Sequence, residues 1–188
     1  MKIAITGGIG SGKSLVCRMI KDAGYPVFSC DEIYKEIQND PDYLSALERS
    51  FGDVVKNSAP DRKKLAAMVF SDAEKLKQLN AIAHPLIMKT LYGRMEQYPV
   101  AFAEVPLLFE SRCQTDFDKV IVVYRDLYQR IKAVCLRDGL TEKEVLARIK
   151  NQADYEKIIK KGHTVIYNDG DVKSLKENVE RTLEKIFA

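Results

Sequence analysis

Apolar and polar positions fall in blocks along the chain, and the blocks change period. The run Ile3-Ala4-Ile5 predicts a buried strand over residues 2 to 6. Leu15, Val16, Met19 and Ile20 then recur at helical spacing, which predicts a helix over residues 13 to 23 closed by Gly24. Tyr25 to Phe28 predicts a short second strand, and from Asp31 the pattern is helical again. There the alternation stops. Residues 40 to 97 predict helix almost throughout, with start signals at Asp40-Pro41, Asp61 and Ser71. A helix boundary is expected at Ala83-His84-Pro85, because the residue before a proline avoids the helical region. Strands return at Val100 to Val105 and Val120 to Val123, each expected to lead into a helix. Thr141 with Glu144 predicts a capping box that opens a charged helix from 142 to about 152. Thr164 to Tyr167 predicts a last strand, and Asn168-Asp169-Gly170 a turn into a helix from about 173 to 186. Five short strands separated by helices predict an α/β fold, a five-stranded parallel sheet flanked by helices, with a helical insertion at 40–97.

Composition narrows this picture. A length of 188 residues suits one domain, 1–188, with a substantial core. The net charge of +3 argues against broad nucleic-acid binding and favours a small anionic ligand. Cys17, Cys30, Cys113 and Cys135 are widely spaced, with no C-x-x-C, so neither a zinc site nor a disulfide framework is expected. Reduced thiols in a cytoplasm are the expectation. The chain enters its first strand directly, so no leader is expected, and no apolar run approaches membrane-spanning length.

The chemistry starts at residues 7 to 14, which read Gly-Gly-Ile-Gly-Ser-Gly-Lys-Ser. This is G-x-x-x-x-G-K-S, with Gly7, Gly12, Lys13 and Ser14 at the spacing of a phosphate-binding loop. Glycines let successive N–H groups curl around one anion, and the helix behind adds its positive end. Lys13 would reach the β- and γ-phosphates, and the Ser14 hydroxyl would ligate Mg²⁺. The competing reading is a glycine-rich strand-to-helix turn that binds nothing; the strand before and the helix after favour the loop. In such sheets ligands bind beyond the carboxyl ends of the strands. Those ends carry Ser29-Cys30-Asp31, the segment Glu104 to Glu110, Arg125 with Arg130 and Arg137 following, and Asn168-Asp169-Gly170. A nucleotide, a carboxylate and several arginines are thus expected to converge on one rim, which is what phosphoryl transfer needs.

Several motifs occur in order across the chain: T-G-G-I-G-S-G-K-S, an Asp right after the second strand, A-H-P, V-P-L-L-F-E, R-D-G-L-T with R-x-x-N-Q, and V-I-x-N-D-G. Together, from residue 1 to about 183, they resemble the dephospho-coenzyme A kinase family. The resemblance implies a nucleoside-monophosphate-kinase-like P-loop core, a helical substrate domain at about 40–97 and a helical lid at about 138–161. It implies ATP-dependent phosphorylation of the ribose 3′-hydroxyl of dephospho-CoA, the last step of coenzyme A synthesis. By position it assigns ATP binding to Gly10, Ser11, Gly12, Lys13, Ser14 and Leu15, with Leu15 standing where Thr is commonest in the family. Asp31 falls on the residue that orients or deprotonates the acceptor hydroxyl. Ser29 stands where the family often has an earlier Asp. Arg137 faces the transferring phosphates in this resemblance, with Arg148 as a second candidate, and Asn168 falls in the adenine-side loop.

Each residue also has a plainer reading. Asp31 is equally the N-cap of a helix starting at Glu32. His84 is a polar residue at a helix break or a substrate contact. Glu104 and Glu110 are solvated charges, or Glu104 an outer ligand of a metal or water. Arg137 complements a helix dipole, and the run 141–161 is a solvated helix pair compatible with a lid. A nucleotide monophosphate kinase would share the core. A guanine-nucleotide switch would need N-K-x-D and D-x-x-G; Asn151-Gln152-Ala153-Asp154 lacks the lysine, and no D-x-x-G occurs.

Overall fold

Strands and helices alternate at the start of the chain: β1 (Lys2–Thr6), α1 (Lys13–Asp22), β2 (Val27–Ser29) and α2 (Cys30–Ile37). There follow α3 (Pro41–Phe51), β3 (Val55–Lys56), β4 (Ala59–Pro60), α4 (Arg62–Phe70) and α5 (Ala73–Met95). Alternation resumes with β5 (Ala101–Glu104), β6 (Lys119–Tyr124), α6 (Leu127–Asp138), α7 (Glu142–Lys150), α8 (Tyr155–Ile158), β7 (Thr164–Tyr167) and α9 (Val172–Phe187). The structure is a computed structural model that describes every residue but Ser71, and every side chain but those of Phe70 and Ala73 as well. The helix start expected at Ser71 therefore lies outside the described residues, and the observed N-cap of α5 is Asp72, which accepts from the N–H groups of Glu74 and Lys75. Among the described residues no helix is long and apolar enough to cross a membrane.

The five-stranded parallel sheet has the order β2-β5-β1-β6-β7. β1 lies in its middle, with Ile3 opposite Phe102 on one side and Lys119 on the other. Ile3 to Thr6 are all buried, which explains a continuous apolar run rather than an alternating one. The chain forms two compact units, Met1–Val27 with Tyr98–Ala188, and Phe28–Gln97.

In the first unit, α1 and α9 pack on the sheet through Val16, Cys17, Ile20, Leu175, Val179, Leu183 and Ile186 against Ile3, Ile5, Phe102 and Ile121. Tyr25 pins the far end of α9, edge-on to Phe102 and stacked on Phe187 at 5.2 Å. The capping box at Thr141 and Glu144 forms as expected and opens α7. The segment after β5 departs from expectation. No α-helix follows; residues 106–112 turn back on themselves, with Arg112 at φ 57, before a short 3-10 turn at Gln114–Asp116.

In the second unit, α2, α3 and α4 all pack on α5. The 40–97 stretch is helical almost throughout, as expected, with α3 capped by Asp40 and α4 starting just after Asp61. Between them, however, β3 and β4 pair as an antiparallel hairpin that was not expected. Asn57 (φ 50) and Ser58 (φ 58) both take the left-handed conformation that a two-residue hairpin turn demands. No boundary falls at Ala83-His84-Pro85, against expectation, because α5 runs straight through Pro85. Leu79, Ile82 and Ala83 before the proline and Leu86 and Ile87 after it pack into the same cluster with Tyr43, Leu47 and Phe51. That shared burial outweighs one lost backbone hydrogen bond.

Candidate active site

β1 ends at Thr6, α1 begins at Lys13, and the glycine loop between them sits at the carboxyl end of the sheet's middle strand. The N-cap of α1 is Gly12, so no side chain caps the first turn, and no acidic residue occupies it. Uncapped N–H groups at a helix start form a site for an anion. Gly12 is required twice over. Its φ is +89, and a Cβ there would lie 2.2 Å from the Asn168 amide nitrogen.

Lys13 and Ser14 meet on one carboxylate. Ser14 Oγ donates to Glu104 Oε1 at 2.9 Å, and Lys13 Nζ lies 3.8 Å from the same oxygen. Glu104 is the last residue of β5, the neighbour of β1, so strand register brings it beside the loop. Cys17, one turn further along α1, has its thiol pushed up by burial and by the nearby Glu104 charge, so it stays protonated.

Side chains from the other end of the chain brace the loop. Buried Asn168 donates through Nδ2 to the Ser11 carbonyl at 2.8 Å, while its own N–H bonds Tyr124 O. Asn168 thus reaches the loop, with its amide nitrogen committed to backbone. Arg130, 6 % exposed, donates through Nε to Ile9 O at 2.9 Å. Burial pulls this guanidinium below its ordinary range. Gln152 Oε1 accepts the Ile9 N–H at 2.8 Å, and the next residue, Ala153, donates its N–H to Glu110 Oε1 at 2.7 Å. Thr6 Oγ1 meets the Tyr155 hydroxyl at 3.2 Å, and burial raises that phenol to about 12. Ser11 Oγ and Glu110 Oε2 are buried with no hydrogen-bond partner among the described residues.

The other expected site residues stand elsewhere. Leu15 packs its side chain on the sheet core, and its N–H bonds Gly12 O at 3.0 Å. Arg137 forks onto its neighbour Asp138, at 2.7 and 2.9 Å, and Arg148 lies 3.8 Å from the same carboxylate. The Arg137 bond holds Asp138 below the usual carboxylate range and raises the guanidinium. Arg125 donates to Gln129. Of the three arginines expected at the rim, only Arg130 bonds the loop among the described residues. Asp31 and His84 belong to the second unit. Asp31 is exposed at the second position of α2; the helix starts at Cys30 and its N-cap is Ser29, so the reading of Asp31 as N-cap is wrong by two residues. His84 is half-buried in the middle of α5 rather than at a break.

Glu104, Arg130 and Gln152 matter more to the loop than the sequence reading allowed. Position after a strand end pointed at Glu104 and Arg130 and the N-Q pair at Gln152, but nothing local gave the bonds of Arg130 and Gln152 to Ile9.

A middle strand feeding an uncapped glycine loop, with lysine and serine gathered on a strand-end carboxylate, defines the core of a P-loop kinase. Comparison with known proteins resolves the class further. The family model CoaE, dephospho-CoA kinase, matches residues 1–174, and the chain belongs to that family. The dephospho-CoA kinase of Chlorobaculum tepidum is 35% identical over 98% of this chain and 94% of its own length. A crystal structure of a Thermus thermophilus protein superposes with a TM-score of 0.85 at 34% identity, covering 99% of this chain and 97% of that one. The structure of the Campylobacter jejuni dephospho-CoA kinase gives 0.73 at 28% identity, covering 99% and 98%.

Proposed function

We propose that this chain transfers the γ-phosphoryl group of ATP to the ribose 3′-hydroxyl of dephospho-CoA, completing coenzyme A. The observation that carries the reading is the meeting of Lys13 and Ser14 on Glu104 at the uncapped start of α1, in a chain of this family. Lys13 draws the β- and γ-phosphates onto the loop amides of Gly10 to Ser14. Ser14 Oγ and Glu104 Oε1, 2.9 Å apart, are two hard oxygen donors of the kind that suits Mg²⁺. That ion, when bound, neutralises charge on the phosphate oxygens.

Asp31 holds the acceptor hydroxyl in line and takes its proton late, because an ordinary carboxylate is a weak base and the transition state is largely dissociative. Its exposure in the first turn of α2 and its lack of a capping role support this assignment. His84 contacts the acceptor from α5, and the Phe28–Gln97 unit is the substrate domain. Arg137 leaves Asp138 for the transferring phosphates when the 138–161 lid closes; its 62% side-chain exposure leaves it accessible. Asn168 fixes the loop's far side from the adenine-side turn. Free thiols at all four cysteines are in keeping with a reducing cytoplasm.

The test is purified protein with ATP, Mg²⁺ and dephospho-CoA, the product identified by mass and by the position of the new phosphate. Coenzyme A should accept nothing, since its 3′-oxygen is already esterified. AMP accepting as well as dephospho-CoA would overturn the reading in favour of a nucleotide monophosphate kinase.

A further inference from the structure

Ile9 is held by three groups that lie on α6, α7 and the segment behind them. Its side chain packs with Ile131, Val134, Val145 and Ile149. Its carbonyl accepts from Arg130 Nε, and its N–H donates to Gln152 Oε1. Ile9 is also the second residue of a turn closed by the Ser11 N–H on Gly8 O at 3.0 Å. Gly10 follows at φ +78, the value a type II turn demands at its third position.

The two polar bonds act on consecutive peptide groups. In a planar trans peptide the C=O and the N–H point in opposite directions. A donor on the Ile9 carbonyl therefore sets where the Gly10 N–H points. An acceptor on the Ile9 N–H likewise sets the Gly8–Ile9 peptide. The space is closed on this side as well, for a Cβ on Gly8 would lie 2.3 Å from Arg130 Nη2. The entry half of the phosphate loop thus takes its shape from residue 130, in the first turn of α6, and residue 152, just past the end of α7.

We propose that Arg130 and Gln152 are positioning residues of the nucleotide site, which couple the anion-binding shape of the loop to the seating of the α6–α7 hairpin through the peptides of Ile9. Phosphate binding and hairpin docking then stabilise each other, because coupling between sites is reciprocal. The inference rests on the phosphate-loop reading above and is independent of the acceptor.

ADP is the probe, with affinity read by calorimetry and backbone hydrogen exchange read by mass spectrometry on the whole chain. In the wild-type protein ADP slows exchange in the loop and also in α7. Gln152→Leu weakens ADP binding about five-fold, the equivalent of one hydrogen bond, and abolishes the slowing in α7 at saturating ADP. Ile9→Ala keeps both peptide bonds and deletes the apolar tie; it gives the same loss in α7 and serves if Gln152→Leu does not fold. Arg130→Lys, which keeps the charge and loses the Nε geometry, moves both readouts in the same direction. The KM for dephospho-CoA stays unchanged in all three. A merely structural role would lower thermal stability yet leave the ADP effect on α7 intact, and that result overturns the proposal. So does unchanged ADP affinity in Gln152→Leu. Wild-type protein that fails to bind ADP would instead overturn the phosphate-loop reading itself.

Discussion

Glu104→Gln separates two effects of one carboxylate. The substitution keeps the side-chain shape and an oxygen to accept from Ser14, and removes the charge facing Lys13. At 3.8 Å, with an effective dielectric of ~20, that charge pair attracts by about 4 kcal/mol. The two side chains are only 13% and 14% exposed, so both ions have given up much of their water, and this offsets most of the attraction. A net of about 1–2 kcal/mol remains tying Lys13 to Glu104 in the nucleotide-free protein. Neutralising Glu104 frees Lys13 for phosphate. Magnesium-free ADP should then bind about five- to thirty-fold more tightly. The nucleotide-free protein should melt earlier, since Lys13 is left without its counter-ion, and ADP should restore the difference. Turnover with Mg²⁺-ATP should fall ~10²-fold, because an oxygen donor of the proposed metal site has lost its charge. Calorimetry without metal, thermal melts with and without ADP, and steady-state kinetics read the three effects. Weaker metal-free ADP binding together with full turnover would refute the reasoning.

Other outcomes follow from the same geometry. Lys13→Ala should nearly abolish turnover while the circular dichroism spectrum is retained; a folded variant with near-normal turnover would remove the phosphate-loop assignment. Asp31→Asn and Asp31→Ala should both lose ~10²-fold or more in turnover. Because Ser29 and not Asp31 is the N-cap, neither should lose more than the ~0.5 kcal/mol of a helix-dipole interaction, and an alanine variant destabilised well beyond the asparagine one would restore the capping role. Iodoacetamide at pH 8 should label Cys135, the half-buried thiol, and leave Cys17 untouched, because burial holds the Cys17 thiol protonated far above that pH; mass spectrometry of the labelled peptides decides it.

What could be read from the sequence was what neighbours along the chain determine. The strand, glycine loop and helix of residues 2 to 22 lie within one short stretch, so spacing alone placed Lys13 and Ser14. The Thr141 capping box spans four residues and was equally legible. The hairpin at Val55–Pro60 was not, because each strand has only two residues and its turn uses Asn57-Ser58 without a glycine. The Pro85 break failed because burial on both sides of a proline is invisible to a rule about the residue before it. The braces of the loop were the least legible. Arg130 to Ile9, Gln152 to Ile9 and Asn168 to Ser11 span 121, 143 and 157 residues, and no local pattern announces a contact at that separation.

Those separations also set an order of events at the ribosome. The glycine loop leaves the exit tunnel well before its partners: β1 has no sheet partner until β5 emerges, and the loop has no tether to Ser11 until Asn168 emerges. In between, the chain must make the whole Phe28–Gln97 unit, which can collapse around its own cluster of Tyr43, Leu47 and Phe51. A nascent chain halted before β7 should therefore carry the complete nucleotide-binding motif and hold no nucleotide. The most recognisable stretch of this protein thus waits for a residue made long after it, so ATP can help to hold the loop only once Asn168 has emerged.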